Sequence, residues 1–369
     1  MRKFFALLLT AAMAISLVAC GNSAADTATQ TETPKEEEAA PAEEPVEEPV
    51  EEPAEEPAVE ETPEPVTLNV AYMPNYGALW SVMSTEKNGY FAEEGITVNL
   101  ISFDAGPAEI AAMEGGSIDV AFIGHGAHKL CSSGDADILL IQQLGNADCV
   151  IGLKSRGVES IADLKGKTVA YAPATSSEII LQLALEANGM TMDDVQGYAM
   201  EASNMVAAAT SGSIDAIATW SPASLQIMEE LGDDAVKLCE NVDYSENSVS
   251  PGSWVVNPEY AKENHDILVR FVRAIYKGMD YGSNSDNYEQ VATWCAEQIG
   301  ADKEDLYQQR GDGYWYNSSE VADLLESGEL IDIYTVQQNM FVSSGDVDES
   351  TMLKVEDFVL TDIMKEALE

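Results

Sequence analysis

Three consecutive hydroxyl residues, Thr175-Ser176-Ser177, stand directly before a run of apolar residues at helical spacing. Such side chains accept from the free N–H groups of a helix's first turn, and the hydroxyls together with those N–H groups can hold an oxyanion. As plain caps they would do no more, so their chemistry depends on what faces them. Tyr76, Trp80, Trp220 and Trp254 lie near the ends of apolar runs, where flat walls for a ligand are expected. Trp220 is the best placed, because Ser221-Pro222 follows it at once. Asn75 and the pair Gly124-His125 end two further apolar runs, and Asp243 stands where it could accept from an amine. His125 and His128 are three apart, a metal-compatible spacing on a helix, but no neighbouring carboxylate completes a set, and neither metal nor cofactor is expected. Cys131, Cys149, Cys239 and Cys295 are too widely spaced for a zinc motif. Buried free thiols and a disulfide, with Cys131 and Cys149 nearest in sequence, both remain open.

These residues need a scaffold, and the sequence alternates strand and helix patterns to provide one. Strands are expected at 67–72, 97–102, 119–123 and 138–142, with helices at 77–88 and 107–114. A second series follows, with strands at 168–171, 195–200 and 215–219 and helices at 176–188, 204–210 and 222–231. The two series echo each other. Val70-Ala71-Tyr72-Met73-Pro74 is matched by Val169-Ala170-Tyr171-Ala172-Pro173, and Gly116-Ser117-Ile118-Asp119 by Gly212-Ser213-Ile214-Asp215. Shared order and spacing predict two similarly built α/β lobes, each a mainly parallel sheet covered by helices. From Pro258 onward Ile267, Val269, Phe271, Val272, Ile275 and Met279 fall at helical spacing, predicting helices packed on the first lobe.

In open sheets of this kind, ligands bind beyond the carboxyl ends of the strands. The loops there are 73–80, 124–127, 172–177 and 220–223, and none contains Lys or Arg; Lys129 is the nearest. A zwitterion, or a heterocycle carrying an amine, fits the aromatic and acidic residues better than a fully charged anion.

Outside this region the chain changes character. Arg2 and Lys3 precede an apolar run over 4–18, too short to span a bilayer and suited to a secretory signal. Leu17-Val18-Ala19-Cys20 resembles the lipobox of bacterial lipoproteins, which implies cleavage before Cys20 and a lipid anchor on it. Residues 21–65 carry sixteen acidic residues, eight prolines and one lysine, with a repeat running from Glu43-Glu44-Pro45-Val46 to Glu55-Glu56-Pro57-Ala58. Recurrent proline and like charge predict an extended tether reaching on the order of 100 Å. Of the net charge of −47, about −34 falls on 66–369, which argues against nucleic acid or anionic lipid surfaces as partners.

The stretches Asn88-Gly89-Tyr90-Phe91-Ala92-Glu93-Glu94-Gly95-Ile96, Gly116-Ser117-Ile118-Asp119-Val120-Ala121, Asp163-Leu164-Lys165-Gly166-Lys167-Thr168 and Gly212-Ser213-Ile214-Asp215-Ala216, running into Trp220-Ser221-Pro222, are similar to the substrate-binding proteins of ABC importers in the nitrate, sulfonate, taurine and thiamine-precursor group. The resemblance implies a type II periplasmic-binding-protein fold, its lobes joined by a two-segment hinge placed at 145–153 and 241–256. It implies lobe 1 at 66–148 with 250–369, lobe 2 at 149–249, a signal at 1–19 and the lipidated tether at 20–65. It also implies a monomer on the outer face of the cell membrane that passes a small ligand to an ABC permease. Asn75, Tyr76, Gly124, His125, Thr175, Ser176, Trp220 and Ser221 are the implied contacts; Trp80 and Asp243 join them from the residue reading. The rival classes are an enzyme on the same fold and a sensing or adhesive lipoprotein, the latter prompted by Arg310-Gly311-Asp312.

Overall fold

A computed structural model describes residues 64–245 and 248–369. The signal, Cys20 and all but the last two residues of the tether lie outside the described residues. The first sheet opens with β1 (Val66–Tyr72), β2 (Ile96–Ser102), β3 (Val120–Ile123) and β4 (Asp137–Gly145). The second holds β5 (Cys149–Leu153), β6 (Thr168–Tyr171), β7 (Gln196–Ala199), β8 (Ala216–Thr219) and β9 (Ala235–Glu240). The chain then returns to the first sheet with β10 (Pro251–Val256) and β11 (Gly313–Trp315).

The spatial orders are β2-β1-β3-β10-β4-β11 and β7-β6-β8-β5-β9. Apart from β11 they are one pattern used twice. β1 runs parallel to β2 and β3, as β6 does to β7 and β8, and the antiparallel member is β10 in one sheet and β5 in the other. Each antiparallel strand is the one that has just crossed from the opposite sheet. β3, β5, β8 and β10 are buried along their whole length, because helices cover both faces, and β3 and β5 read as continuous apolar runs while β10 opens on Pro251-Gly252-Ser253. β7, at a sheet edge, is exposed throughout.

The crossings are shorter than the sequence implied. Residues 149–153 and 251–256 are central strands, leaving 146–148 and 241–250 as the connecting chain. The two crossings are tied to each other: the Asp148 N–H donates to Asn241 Oδ1 at 2.8 Å, and the Val242 N–H to Asn146 Oδ1 at 2.9 Å.

Helices after β10 thicken the first lobe. Helix His265–Gly282 lies on helix Tyr76–Lys87, and the contact is close enough that a Cβ on Gly278 would sit 2.0 Å from Thr85 Oγ1. One apolar core runs from Leu68 through Phe271 to Met364. The C-terminal region also reaches the second lobe, where Phe341 and Val347 pack on Ile179. Cys131, Cys149, Cys239 and Cys295 are all free and buried, which closes the disulfide alternative for this structure. Among the described residues no helix is long and apolar enough to cross a membrane.

Candidate ligand-binding site

A cleft with about 720 Å³ of empty space, open solvent included, lies between the two sheets. Its residues come from every part of the fold. β1 and β3 run into Asn75, Gly124 and His125; β6 and β8 run into Thr175, Ser176, Trp220 and Ser221. Asp148 enters from a crossing, and Gln143 from the end of β4. Gln309, Asp312 and Trp315 arrive from the C-terminal region.

Seven of the expected contacts therefore line the cavity: Asn75, Gly124, His125, Thr175, Ser176, Trp220 and Ser221. Tyr76, Trp80, Trp254 and Asp243 do not. Tyr76 and Trp80 are buried in a helix whose residues 78–85 are all covered, and both rings pack edge-on against Trp315, which takes the wall position in their place. Trp254 is a core residue of β10; its indole N–H donates to Gln142 Oε1 at 2.9 Å, and Phe122 and Phe271 meet its ring. Asp243 sits in an exposed helical turn and accepts from the Glu240 N–H at 2.9 Å, a local cap.

The lobes touch at the cavity's edge. A Cβ on Gly126 would fall 2.1 Å from the carbonyl carbon of Thr175, so only glycine permits this approach. Thr175 caps helix Ser176–Ala187, accepting from the Ser177 N–H at 3.2 Å. Glu178 accepts from the Ala174 N–H at 2.8 Å and pairs with Lys129 at 3.3 Å, and Lys129 also meets Asp346 at 3.4 Å. Much of the polar capacity at this helix start is therefore already engaged by the protein.

The cavity surface is mostly apolar; its charged lining residues are Asp148 and Asp312, with no Lys or Arg among them. Asp148 Oδ1, His125 Nε2 and Gln309 Nε2 are buried with no hydrogen-bond partner among the described residues. His125 Nδ1 lies 3.9 Å from Asp148 Oδ2. Burial lowers the His125 pKa, and the neighbouring Asp148 only partly opposes that, so the ring is neutral at pH 7. Asp312 is pushed up to about 6, chiefly by burial, with Ser221 and Lys237 pulling down and Asp148 and Glu240 pushing up. His128 points elsewhere: its Nδ1 lies 2.9 Å from Gln337 Oε1 in the core, and burial holds it at about 3. The two histidines thus share no metal, and among the described residues no group of three or more His, Cys, Asp or Glu is placed to hold one.

Gln309, Asp312, Trp315, Asp148 and Gln143 were not flagged in the sequence. The signal nearest to hand was Gly313-Tyr314-Trp315-Tyr316, an aromatic run after glycine with strand character. Asp312 stands within Arg310-Gly311-Asp312, which is no displayed adhesive loop: Arg310 lies 4.5 Å from the centre of the Tyr288 ring, and Asp312 faces the cavity.

Chemically the arrangement suits binding. No cysteine lines the cavity, and no hydrogen bond joins the His125 ring to a lining hydroxyl among the described residues. Comparison with known proteins agrees. Residues 81–286 match the family described as NMT1/THI5 like. A binding protein of Brucella abortus (strain 2308) is 31% identical over 298 residues, covering 80% of this chain and 91% of its own. The alkanesulfonate-binding protein of Xanthomonas axonopodis pv. citri, solved with MOPS bound, superposes with a TM-score of 0.61 at 18% identity, over 80% of this chain and 99% of its own. The desulfurization enzyme DSZB superposes with a TM-score of 0.59 at 14% identity, over 82% and 98%. The fold is the type II periplasmic-binding-protein arrangement of two sheets.

Proposed function

The chain belongs to the NMT1/THI5-like family, and from that premise we propose that it is the solute-capturing component of an ABC importer, binding a small molecule between its lobes and delivering it to a membrane permease. The observation that carries this reading is the cavity lined from both lobes, a crossing and the C-terminal region. A ligand held on both sides favours the closed arrangement over the open one by the contacts that only closure completes. Asn75, Gly124, His125, Thr175, Ser176, Trp220 and Ser221 are the proposed contacts, and the candidate solutes are a sulfonate, a taurine-like zwitterion or a thiamine-precursor-like heterocycle. Lobe 1 (66–148 with 250–369) closes on lobe 2 (149–249) about the tied crossings. The chain works as a monomer without cofactor, outside the cytoplasmic membrane, held by lipid on Cys20 after removal of 1–19 and spaced from the surface by the acidic tether.

The enzyme reading rests on the fold shared with the desulfurization enzyme, and the cavity's side chains do not favour it. A thermal-shift screen of sulfonates, amino-sulfonates, pyrimidines and quaternary amines separates the two, followed by titration and recovery of the bound solute. One solute bound in equal proportion and returned unchanged is the expected result. Stabilisation by none of them, or recovery of a chemically altered solute, refutes the carrier reading.

A further inference from the structure

We infer that the solute this cavity takes is an organic cation, with one protonated amine or amidine-type group between the carboxylates of Asp148 and Asp312 and a flat apolar body against the indoles of Trp220 and Trp315. The inference rests on the solute-binding reading above and narrows it.

The charge balance of the site leads there. Asp148 is 4% exposed, and its Oδ1 has no hydrogen-bond partner. A buried carboxylate oxygen left this way is costly unless a donor or countercharge meets it. The protein does not supply one. His125, at 3.9 Å from the other oxygen, is held neutral by its own burial. Asp312 lines the same cavity, where the charge of Asp148 pushes its pKa up.

Among the described residues the nearby cations face other partners, though the buried Nε of Arg310 has no hydrogen bond. Lys237, the one that lowers Asp312, is 2.8 Å from Glu240. Arg310, two residues before Asp312, lies over the rings of Tyr288 and Tyr307 at 4.5 and 5.3 Å. Lys129 is shared between Glu178 and Asp346.

An anion entering here would meet two carboxylates and no base. At the helix start Thr175 and Glu178 already accept from the Ser177 and Ala174 N–H groups, which leaves the Ser176 N–H and hydroxyl as the donors there. A cation meets the opposite situation. It gains both carboxylates, and the π faces of Trp220 and Trp315 attract it and its apolar body together. Gln309 Nε2 and His125 Nε2 remain to orient a polar group on that body.

Titration of the full chain at pH 7.5 with tyramine, choline, taurine, methanesulfonate, nitrate and uracil tests the inference. Tyramine or choline is expected to bind at least tenfold more tightly than taurine, with no measurable binding of methanesulfonate or nitrate. Asp148→Asn and Asp312→Asn are each expected to weaken the cation at least 100-fold. Should Asp148→Asn disturb the crossing and fail to fold, Asp312→Asn carries the test. Binding of the anions without the cations, of uracil alone, or of cations with unchanged affinity in both variants, overturns the cation assignment and leaves the carrier reading standing. Binding of none of the six overturns both.

Discussion

The first and second lobes begin with the same local construction and present different residues to the cavity. In each, a parallel strand runs into a proline and a capped helix: Asn75 accepts from the Ala78 N–H at 2.9 Å, and Thr175 from the Ser177 N–H at 3.2 Å. In each, the aspartate of the Gly-Ser-Ile-Asp turn clamps the first parallel strand, at the middle of β1 and at the start of β6. Asp119 Oδ2 accepts from the Asn69 N–H at 2.7 Å, and Asp215 Oδ2 from the Thr168 N–H at 2.9 Å. The aspartates' own N–H groups donate back to the carbonyls of Asn69 and Thr168, both at 2.9 Å. What differs is the number of layers. Helix Tyr76–Lys87 is enclosed by helices His265–Gly282 and Tyr288–Ile299, so Tyr76 and Trp80 are core residues. Helix Ser176–Ala187 is less covered along its length, with Ser176, Glu178, Gln182 and Leu183 half-buried, and its first hydroxyls remain at the cleft. Local sequence sets the turn and the cap; the presence of a further layer decides which side chains can reach a ligand.

The largest expected effect comes from the place where the lobes meet. Gly126 of the first lobe abuts the backbone of Thr175 in the second, and a Cβ there would come within 2.1 Å of it. Val in its place would wedge the lobes apart, because neither the helix start nor the turn can yield by that distance without losing its own hydrogen bonds. Gly126→Val is expected to lower affinity for the bound solute at least 100-fold and to raise the radius of gyration measured by X-ray scattering. Each lobe should keep its helical and strand content by circular dichroism. Unchanged affinity and scattering would mean that the lobes are not in contact at this point in solution.

The same contrast explains which parts were legible beforehand. The strand-to-helix loops of both lobes could be read because they are local: an apolar run, then proline or glycine, then a capping side chain. Those loops hold the seven cavity residues that the family resemblance implied as contacts. Trp315, Asp312 and Gln309 escaped it because β11 is three residues long and its partner β4 lies far away in sequence, at 137–145. No periodicity of a three-residue strand announces its register. Tyr76 and Trp80 misled for the complementary reason: an aromatic beyond a strand end faces a ligand only if no later helix covers it, and the covering helices lie about 200 residues further on. The hinge was placed too broadly because β5 and β10 adjoin the crossings directly, and β10 opens on Pro251-Gly252-Ser253, residues typical of a connecting segment.

A smaller effect tests whether the clamps are equivalent. Asp119→Ala and Asp215→Ala each remove one charge-assisted hydrogen bond to a strand N–H, at a cost of about 1–2 kcal/mol. Asp215 also pairs with Arg156 at 2.9 Å, but that side chain is 45% exposed and the pair adds little. Urea unfolding should therefore give losses within about 1 kcal/mol of each other. A loss at Asp119 several times that at Asp215 would show that the extra helical layer of the first lobe depends on its strand's register, and the two lobes would no longer count as one construction used twice.

The smallest effect distinguishes a carboxylate at the cavity from one beside it. Asp312 and Asp137, on β4, are both pushed up to about 6 by burial, against an ordinary value of 3.8. A carboxyl that holds its proton more tightly in the folded chain favours folding below the unfolded value. That contribution falls away as pH rises from about 4 through about 6, and above it the charged group is a net penalty. Without ligand, the chain should thus lose stability over that interval. Asp312→Asn should remove its share, raising the melting temperature at pH 8 by about 2–4 °C and leaving it nearly unchanged at pH 4, for a relief of about 1–2 kcal/mol. Asp137→Asn should act in the same direction. Ligand separates them: a bound cation stabilises charged Asp312, facing Ser221, Lys237, Asp148 and Glu240, and has no contact with Asp137. Saturating tyramine should therefore erase the benefit of Asp312→Asn at pH 8 while that of Asp137→Asn persists, and cation affinity should fall as pH drops through about 6 in the native chain but not in Asp312→Asn. If both substitutions respond alike to ligand, Asp312 is a buried carboxylate of the scaffold, and the acidic half of the cavity belongs to Asp148 alone.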